Sequence, residues 1–241
     1  MNKILNHIQS RKVIAATILS VGIVIAACSL GNAIIKFKYH ERTLAVKGLA
    51  ERLVSSDQAI WNIRLSYGSD SLTELYSGIL STQEKIKKFL QSKNFVLEEI
   101  ELQPASVTDN SSNAYVNPND KVKKYVSDFG VVVTTKKIDQ IKQSAQQTIE
   151  LIEAGVVITS SYINYGYTKL NDIKSDILDE ATANAKKTAE SFAAKSNNKL
   201  GKIKSASQGQ ITINDAGVDN ESNLSINKSV RIVTSITYFL E

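Results

Sequence analysis

The feature that most constrains this chain is an uncharged hydrophobic stretch near its N-terminus. From Val13 to Ile35 the sequence reads VIAATILSVGIVIAACSLGNAII, which contains no charged residue. In helical form, at about 1.5 Å of rise per residue, a stretch of this length spans the hydrocarbon core of a membrane, roughly 30 Å thick. The sequence therefore predicts a transmembrane anchor over residues 13–35, preceded by a short cytoplasmic N-terminus, residues 1–12.

The flanks of this stretch bear on its orientation. Arg11 and Lys12 precede it, and Lys36 and Lys38 follow it, so the positive-inside rule orients it only weakly. A basic N-terminus followed by an apolar run is typical of an export signal. We therefore expect a single-pass protein of the inner (cytoplasmic) membrane, with its C-terminal domain on the periplasmic or extracytoplasmic side.

Two other fates of the hydrophobic stretch stay open. Ala26-Ala27 offers small residues suited to signal cleavage, and the four residues Ile25–Cys28 resemble a bacterial lipobox, which would attach a lipid to Cys28. Against cleavage, hydrophobic residues continue past Cys28 through Ile35. Retention, lipidation and cleavage thus remain alternatives, with a retained anchor as the expectation.

The excess of positive over negative charge in this chain is confined to its first 42 residues. The net charge is +5, and residues 1–42 carry six basic residues against one acidic residue. The remainder is electrically neutral. A nucleic-acid partner needs a basic surface to neutralise phosphates, so we expect none here.

The positions of histidine and cysteine exclude much catalytic chemistry. His7, His40 and Cys28 are the only such residues, and none lies beyond residue 40. Because a catalytic triad or a zinc site needs an imidazole or a thiol, we predict no catalytic residue, metal site or cofactor. A carboxylate-based hydrolase using the glutamates of Glu98–Glu101 is a third-ranked hypothesis, and the S-x-x-K spacing of Ser225 and Lys228 is interpreted as coincidence.

Beyond the anchor, hydrophobic periodicity predicts an α+β domain over residues 43–241. Alternating residues predict strands and 3.6-residue periodicity predicts helices, in the order β-β-α-β, β-α-β, α-β-β. Largely antiparallel sheets covered by helices follow from this order. The loop-like stretch 108–120 suggests two subdomains, about 43–107 and 124–241. The first two strands are expected to form a hairpin, and the alanine-rich helix from about Asn171 to Ser196 to approach a sheet or another helix closely.

An aromatic cluster offers the one candidate binding surface. Tyr162, Tyr165 and Tyr167 surround Gly166 in the sequence YINYGY. These rings can stack on a ligand or form an interface, although tyrosines near strand ends more often pack locally. We retain the three residues as a candidate ligand or interface patch.

Several phrases of the sequence resemble SIMPL-domain proteins, a family of bacterial periplasmic and membrane-associated oxidative-stress defence proteins. The resemblance implies an α+β fold of helices on antiparallel sheets, self-association into ring-like or channel-like oligomers, and no established catalytic residues. The phrases that carry it are VKGLAER at Val46–Arg52 with Ala59-Ile60-Trp61, and the segments Leu170–Ala193, Leu200–Ile213 and Val230–Leu240.

These observations together predict a non-enzymatic, membrane-tethered, extracytoplasmic scaffold. Its expected partners are copies of itself, the membrane and an unidentified envelope protein, with a loose link to envelope or oxidative-stress defence. The alternative is a ligand-binding or partner-binding module of the cell envelope.

Overall fold

The computed structural model describes residues 19–34, 42–112, 122–217 and 223–241. Within these residues, no helix is both long and apolar enough to cross a membrane. The described part of the hydrophobic stretch, residues 19–34, is helical and is called α1. The predictions of a transmembrane helix over 13–35 and of a single-pass inner-membrane location are therefore wrong. The expected cytoplasmic segment, residues 1–12, lies outside the described residues.

The predicted α+β class is confirmed. Strand β1 is followed by β2, helix α2, strands β3 and β4, helices α3 and α4, strand β5, helix α5, and strands β6 to β8. Their bounds are β1 Thr43–Ser55, β2 Gln58–Ser69, α2 Leu72–Ser92, β3 Ile100–Asp109, β4 Tyr125–Thr135, α3 Ile138–Gln146, α4 Ile149–Glu153, β5 Val157–Gly166, α5 Leu170–Lys195, β6 Leu200–Gln208, β7 Thr212–Asp215 and β8 Asn227–Leu240.

One four-stranded sheet has the order β3-β4-β2-β5, and all its pairings are antiparallel. Alternation along β2 gives it two different faces, because successive side chains of a strand point to opposite sides. Trp61, Ile63 and Leu65 are buried, whereas Arg64 between them is exposed. The buried face packs against α2, α3 and α4 through Leu75, Ile79, Ile86, Phe89, Leu90, Ile141 and Leu151.

The second sheet has the order β1-β8-β6, and the short strand β7 also pairs with β8. Strands β6 and β7 run antiparallel to β8. The predicted hairpin of the first two strands is wrong, since β1 and β2 enter different sheets. The joint Ser56-Asp57 carries the chain between them, and the Ser56 amide donates to the Ile226 carbonyl rather than to a hairpin partner.

Helix α5 approaches strand β1 as closely as its alanine content predicts. A Cβ atom built on Gly48 would lie 1.9 Å from the Ala181 carbonyl oxygen and 2.7 Å from the Ala185 Cβ. Ala185 and Ala189 are fully buried in a small core with Val46, Ile236 and Tyr238. Small residues on both elements are therefore what permits this packing.

The chain separates into two compact units, each of which is discontinuous in sequence. One contains the described residues within Met1–Ala50, Leu178–Gln210 and Val233–Glu241, and the other contains Glu51–Ile177 and Ile211–Ile232. Boundaries between the units fall inside β1, α5 and β8, so the order of elements along the chain does not reveal them. The larger core, built on β2, belongs to the second unit.

Candidate functional site

The structure does not bring the three candidate tyrosines together on one surface. Tyr165 is buried and belongs to the core beneath β2, whereas Tyr162 is 41% exposed. Three positions apart on one strand, their side chains lie on opposite faces of the sheet. Tyr167 follows β5 and is half-buried. Burial also raises the pKa of the Tyr165 hydroxyl. Of this cluster, Tyr162 is the exposed member.

Strand β5, which carries Tyr162, forms one edge of its sheet. Its sequence, VITSSYINYG, contains no charged residue and no proline. Val157 is 58% exposed and Tyr162 is 41% exposed. β-branched and aromatic residues favour strand pairing, so β5 combines a position at the sheet edge with a sequence suited to pairing.

The other three sheet edges carry features that discourage pairing with a further strand. Strand β3 contains Pro104, and its register shifts between Gln103 and Ser106. Strand β6 contains two lysines and two register shifts, and β1 contains two basic residues and one acidic residue. Strand β5 has one register shift, opposite Arg64 and Leu65, and is the edge that lacks charges altogether.

Hydrogen bonding shows which amides of β5 point away from the sheet. The Tyr165 amide donates to the Asn223 carbonyl at 2.6 Å and thus faces outward. Because alternate amides of a strand point the same way, those of Ile163 and Ser161 face outward as well. Within the described part of the chain these two amides have no backbone partner on that side.

The solvent face of the same sheet holds a shallow polar groove of about 350 Å³. Strand register places side chains in rows across the sheet, and paired positions share a face. Gly130 lies opposite Arg64 on one side and Gln103 on the other. The neighbouring row contains Asn62, which pairs with Tyr162. This groove is called the Gly130 groove below.

The glutamates of the hydrolase hypothesis do not converge. Glu99 closes a short helical turn and accepts hydrogen bonds from the Thr135 hydroxyl at 2.6 Å and the Lys137 ammonium at 3.1 Å. Burial acts to raise the pKa of Glu99, but these bonds and that from the Val96 amide outweigh it, so the pKa is lowered. A general acid needs a raised pKa. Glu101 is exposed on β3.

The S-x-x-K pair takes part in a buried polar cluster instead of a catalytic arrangement. Lys228 donates to the Asp215 carboxylate, and both side chains are almost fully buried. The other carboxylate oxygen of Asp215 accepts from the amides of Leu224 at 3.0 Å and Ser225 at 3.1 Å. The lysine ammonium is thus a donor to a carboxylate, and Asp215 fixes the backbone of the loop.

The remaining candidate residue, Cys28, lies on α1 and is exposed as a free thiol. Across the described ranges, no group of three or more histidine, cysteine, aspartate or glutamate residues is arranged to hold a metal ion.

Sequence reasoning missed three of these features. The uncharged run from Val157 to Gly166 was a readable signal for the open edge of β5. The Gly130 groove and the Asp215–Lys228 pair depend on strand register, which no local pattern in this sequence specifies.

The fold defines an α+β protein of two sheets with helices packed on them. Residues 44–231, more than three quarters of the chain, match the family model SIMPL, described as "Protein of unknown function (DUF541)". The chain therefore belongs to the SIMPL family, as its sequence phrases indicated.

Other comparisons add little. No curated protein matches the chain. Among solved structures, it is similar to the chlorite dismutase from Candidatus Nitrospira defluvii in complex with imidazole, at 10% identity and a TM-score of 0.25, over 76% of this chain and 78% of that one. A similarity at this level carries no functional inference.

Proposed function

We propose that this SIMPL-domain chain is a non-enzymatic assembly module that associates with copies of itself through the open edge of β5. The observation that carries the proposal is the contrast among the four sheet edges: β5 is uncharged and free of proline over ten residues, while the other three carry charges, proline or repeated register shifts. An unprotected edge of this kind is a template for strand addition.

Antiparallel pairing of β5 with β5 of a second copy satisfies the outward amides of Ser161 and Ile163. It also gives a two-fold, self-complementary interface, the commonest symmetry of homo-oligomers. The two four-stranded sheets then form one continuous eight-stranded sheet. Tyr162 lies on the solvent face of this junction, where the two rings add apolar contact.

The alanine-rich helix is not part of this interface. Its small residues are buried against β1 of the same chain, so they are not available to another copy. Self-association is assigned to β5 alone.

The full-length chain tests the proposal in sedimentation velocity across a wide concentration range. We expect a concentration-dependent oligomer for the wild type. Tyr162→Lys places a charge at the middle of the β5 edge and should shift the equilibrium to the monomer. Ile203→Lys, at a 54% exposed position on β6, is the matched control and should sediment like the wild type.

A wild type that stays monomeric throughout the range would overturn the proposal. Equal effects of the two lysine variants would overturn the assignment to β5, since they would show that added charge acts without regard to the edge.

A role in oxidative-stress defence, which the resemblance of the sequence implies, would act indirectly. Cysteine and methionine are the side chains that oxidants modify reversibly, and the sequence has neither beyond Cys28. We therefore propose that any such role passes through a protein partner bound to the assembly.

A further inference from the structure

The Gly130 groove, on the solvent face of β3, β4 and β2, has no part in the proposed assembly. It exists because the central position of the row has no side chain. A Cβ on Gly130 would lie 3.0 Å from the Ile63 carbonyl oxygen and 3.7 Å from the Gln103 Cβ. Next to it, a register shift between Gln103 and Ser106 interrupts the pairing of β3 with β4.

Two opposite charges stand in this groove without neutralising each other. Arg64 and Asp128 are both exposed, and both line the groove. Within the described residues neither side chain has an ion-pair or hydrogen-bond partner. Arg64 lies opposite Gly130, and Asp128 is two residues from Gly130 on the same strand. The two are thus diagonal neighbours on one face, with backbones about 7–8 Å apart.

Between and beside these charges the groove offers amide groups. Gln103 lies in the row of Gly130 and Asn62 in the neighbouring row; both are half-buried, and Ser106 adds a hydroxyl. Primary amides can both donate and accept, and therefore match a peptide group, which also has one donor and one acceptor. The lining is a cation, an anion and neutral amides, with the open backbone of Gly130 at its floor.

We propose that the Gly130 groove binds a short zwitterionic peptide, with its carboxylate on Arg64 and its ammonium group on Asp128. The guanidinium fork is suited to bidentate contact with a carboxylate. Two extended residues span about 7 Å, similar to the diagonal separation of the backbones of Arg64 and Asp128. The peptide bond then lies over Gly130, within reach of Asn62 and Gln103.

This inference goes beyond the assembly function and can fail independently of it. Arg64, Gly130 and Asp128 lie on the central strands β2 and β4, whereas the assembly edge is β5. A binding experiment on the Tyr162→Lys variant, compared with the wild type, separates the two: a loss of oligomer with unchanged peptide affinity is the expected result.

Isothermal titration of the full-length chain tests the site with L-alanyl-L-alanine, its N-acetyl form and its C-terminal amide. We expect the free dipeptide to bind at least about tenfold more tightly than either capped form. Arg64→Gln should abolish the preference for the free carboxylate over the amide, and Asp128→Asn should abolish the preference for the free amine. Thr134→Ala, on the same face but outside the groove, is the control and should bind like the wild type.

Two results would overturn the proposal. One is the absence of measurable binding of the free dipeptide at millimolar concentration. The other is an Arg64→Gln variant that binds all three peptides as the wild type does, which would place any binding elsewhere on the chain.

Discussion

The ammonium group of Lys228 donates to a carboxylate oxygen of Asp215 in an ion pair whose two side chains are only 1% and 2% exposed. Asp215 ends β7, and Lys228 stands at the start of β8. The second oxygen of Asp215 holds the amides of Leu224 and Ser225, so one carboxylate both neutralises the lysine and fixes the chain that leads into β8.

Removing one member of this pair should destabilise the protein strongly. Lys228→Met breaks a buried ion pair by removing its cation, and such losses amount to about 3–5 kcal/mol in the free energy of unfolding. Urea unfolding measures the change. Lys186→Met, which removes an exposed partner of Glu190, is the control and should change stability by less than about 0.5 kcal/mol. A decrease below about 1 kcal/mol in the free energy of unfolding of Lys228→Met, as expected for an exposed pair, would contradict the burial of this ion pair.

A methyl group at Gly48 should not be tolerated. Gly48→Ala sets a Cβ against the Ala181 carbonyl, and helix α5 must move away from β1 to relieve the overlap. We expect a loss of about 3 kcal/mol or more, at the upper end of overpacking effects. Gly166→Ala is a suitable control, because its nearest neighbour would be the Gln58 carbonyl at 4.0 Å. The midpoint of thermal unfolding should be clearly lower for Gly48→Ala than for Gly166→Ala. Equal midpoints would show that α5 and β1 leave room for a methyl group at position 48.

The two tyrosines of β5 should differ sharply when truncated. Tyr165→Ala removes a buried core ring and should lower the free energy of unfolding by about 3–5 kcal/mol. Tyr162→Ala removes an exposed ring and should change it by less than about 1 kcal/mol, measured on the dissociated chain at low concentration. Comparable losses in chemical denaturation would mean that the two rings share one environment.

Acid should weaken the contacts of Glu99 in a defined direction. Its pKa in the folded protein is lowered from the usual 4.5, because the hydrogen bonds from Thr135, Val96 and Lys137 outweigh its partial burial. The stability that this carboxylate contributes is therefore fully present above pH 4.5 and is lost as the pH falls through the lower folded-state value.

Glu99→Gln should remove that part of the acid dependence, so the difference in stability from the wild type narrows on acidification. Urea unfolding at neutral pH and below pH 4 measures it, with Glu101→Gln on exposed β3 as the control. A constant difference between Glu99→Gln and the wild type across this range would rule out the interpretation.

The features of this fold that the sequence predicted are those encoded by neighbouring residues. Alternation along β2 and helical periodicity over Leu72–Ser92 are local, and both elements form as predicted. The approach of α5 to β1 was also readable, because only small residues allow it.

The features that the sequence did not predict depend on pairing between strands that are far apart in the chain. Neighbouring strands most often pair, yet β1 and β2 separate at Ser56-Asp57, since β1 pairs with β8 and β2 pairs with β4 and β5. Arg64 and Gln103 meet across Gly130 only through strand register. The hydrophobic run at 13–35 satisfied the length criterion for a membrane span, whereas no helix within the described residues is long and apolar enough to cross a membrane.

Amide hydrogen exchange along β5 tests the central claim most directly. The outward amides of Ser161 and Ile163 should exchange slowly at concentrations where the full-length chain is oligomeric and quickly after dilution, because pairing with a second β5 supplies their acceptors. The Trp61 amide, on the central strand β2, should stay protected at both concentrations. If Ser161 and Ile163 exchange quickly at every concentration, including those at which sedimentation detects an oligomer, assembly through β5 is contradicted.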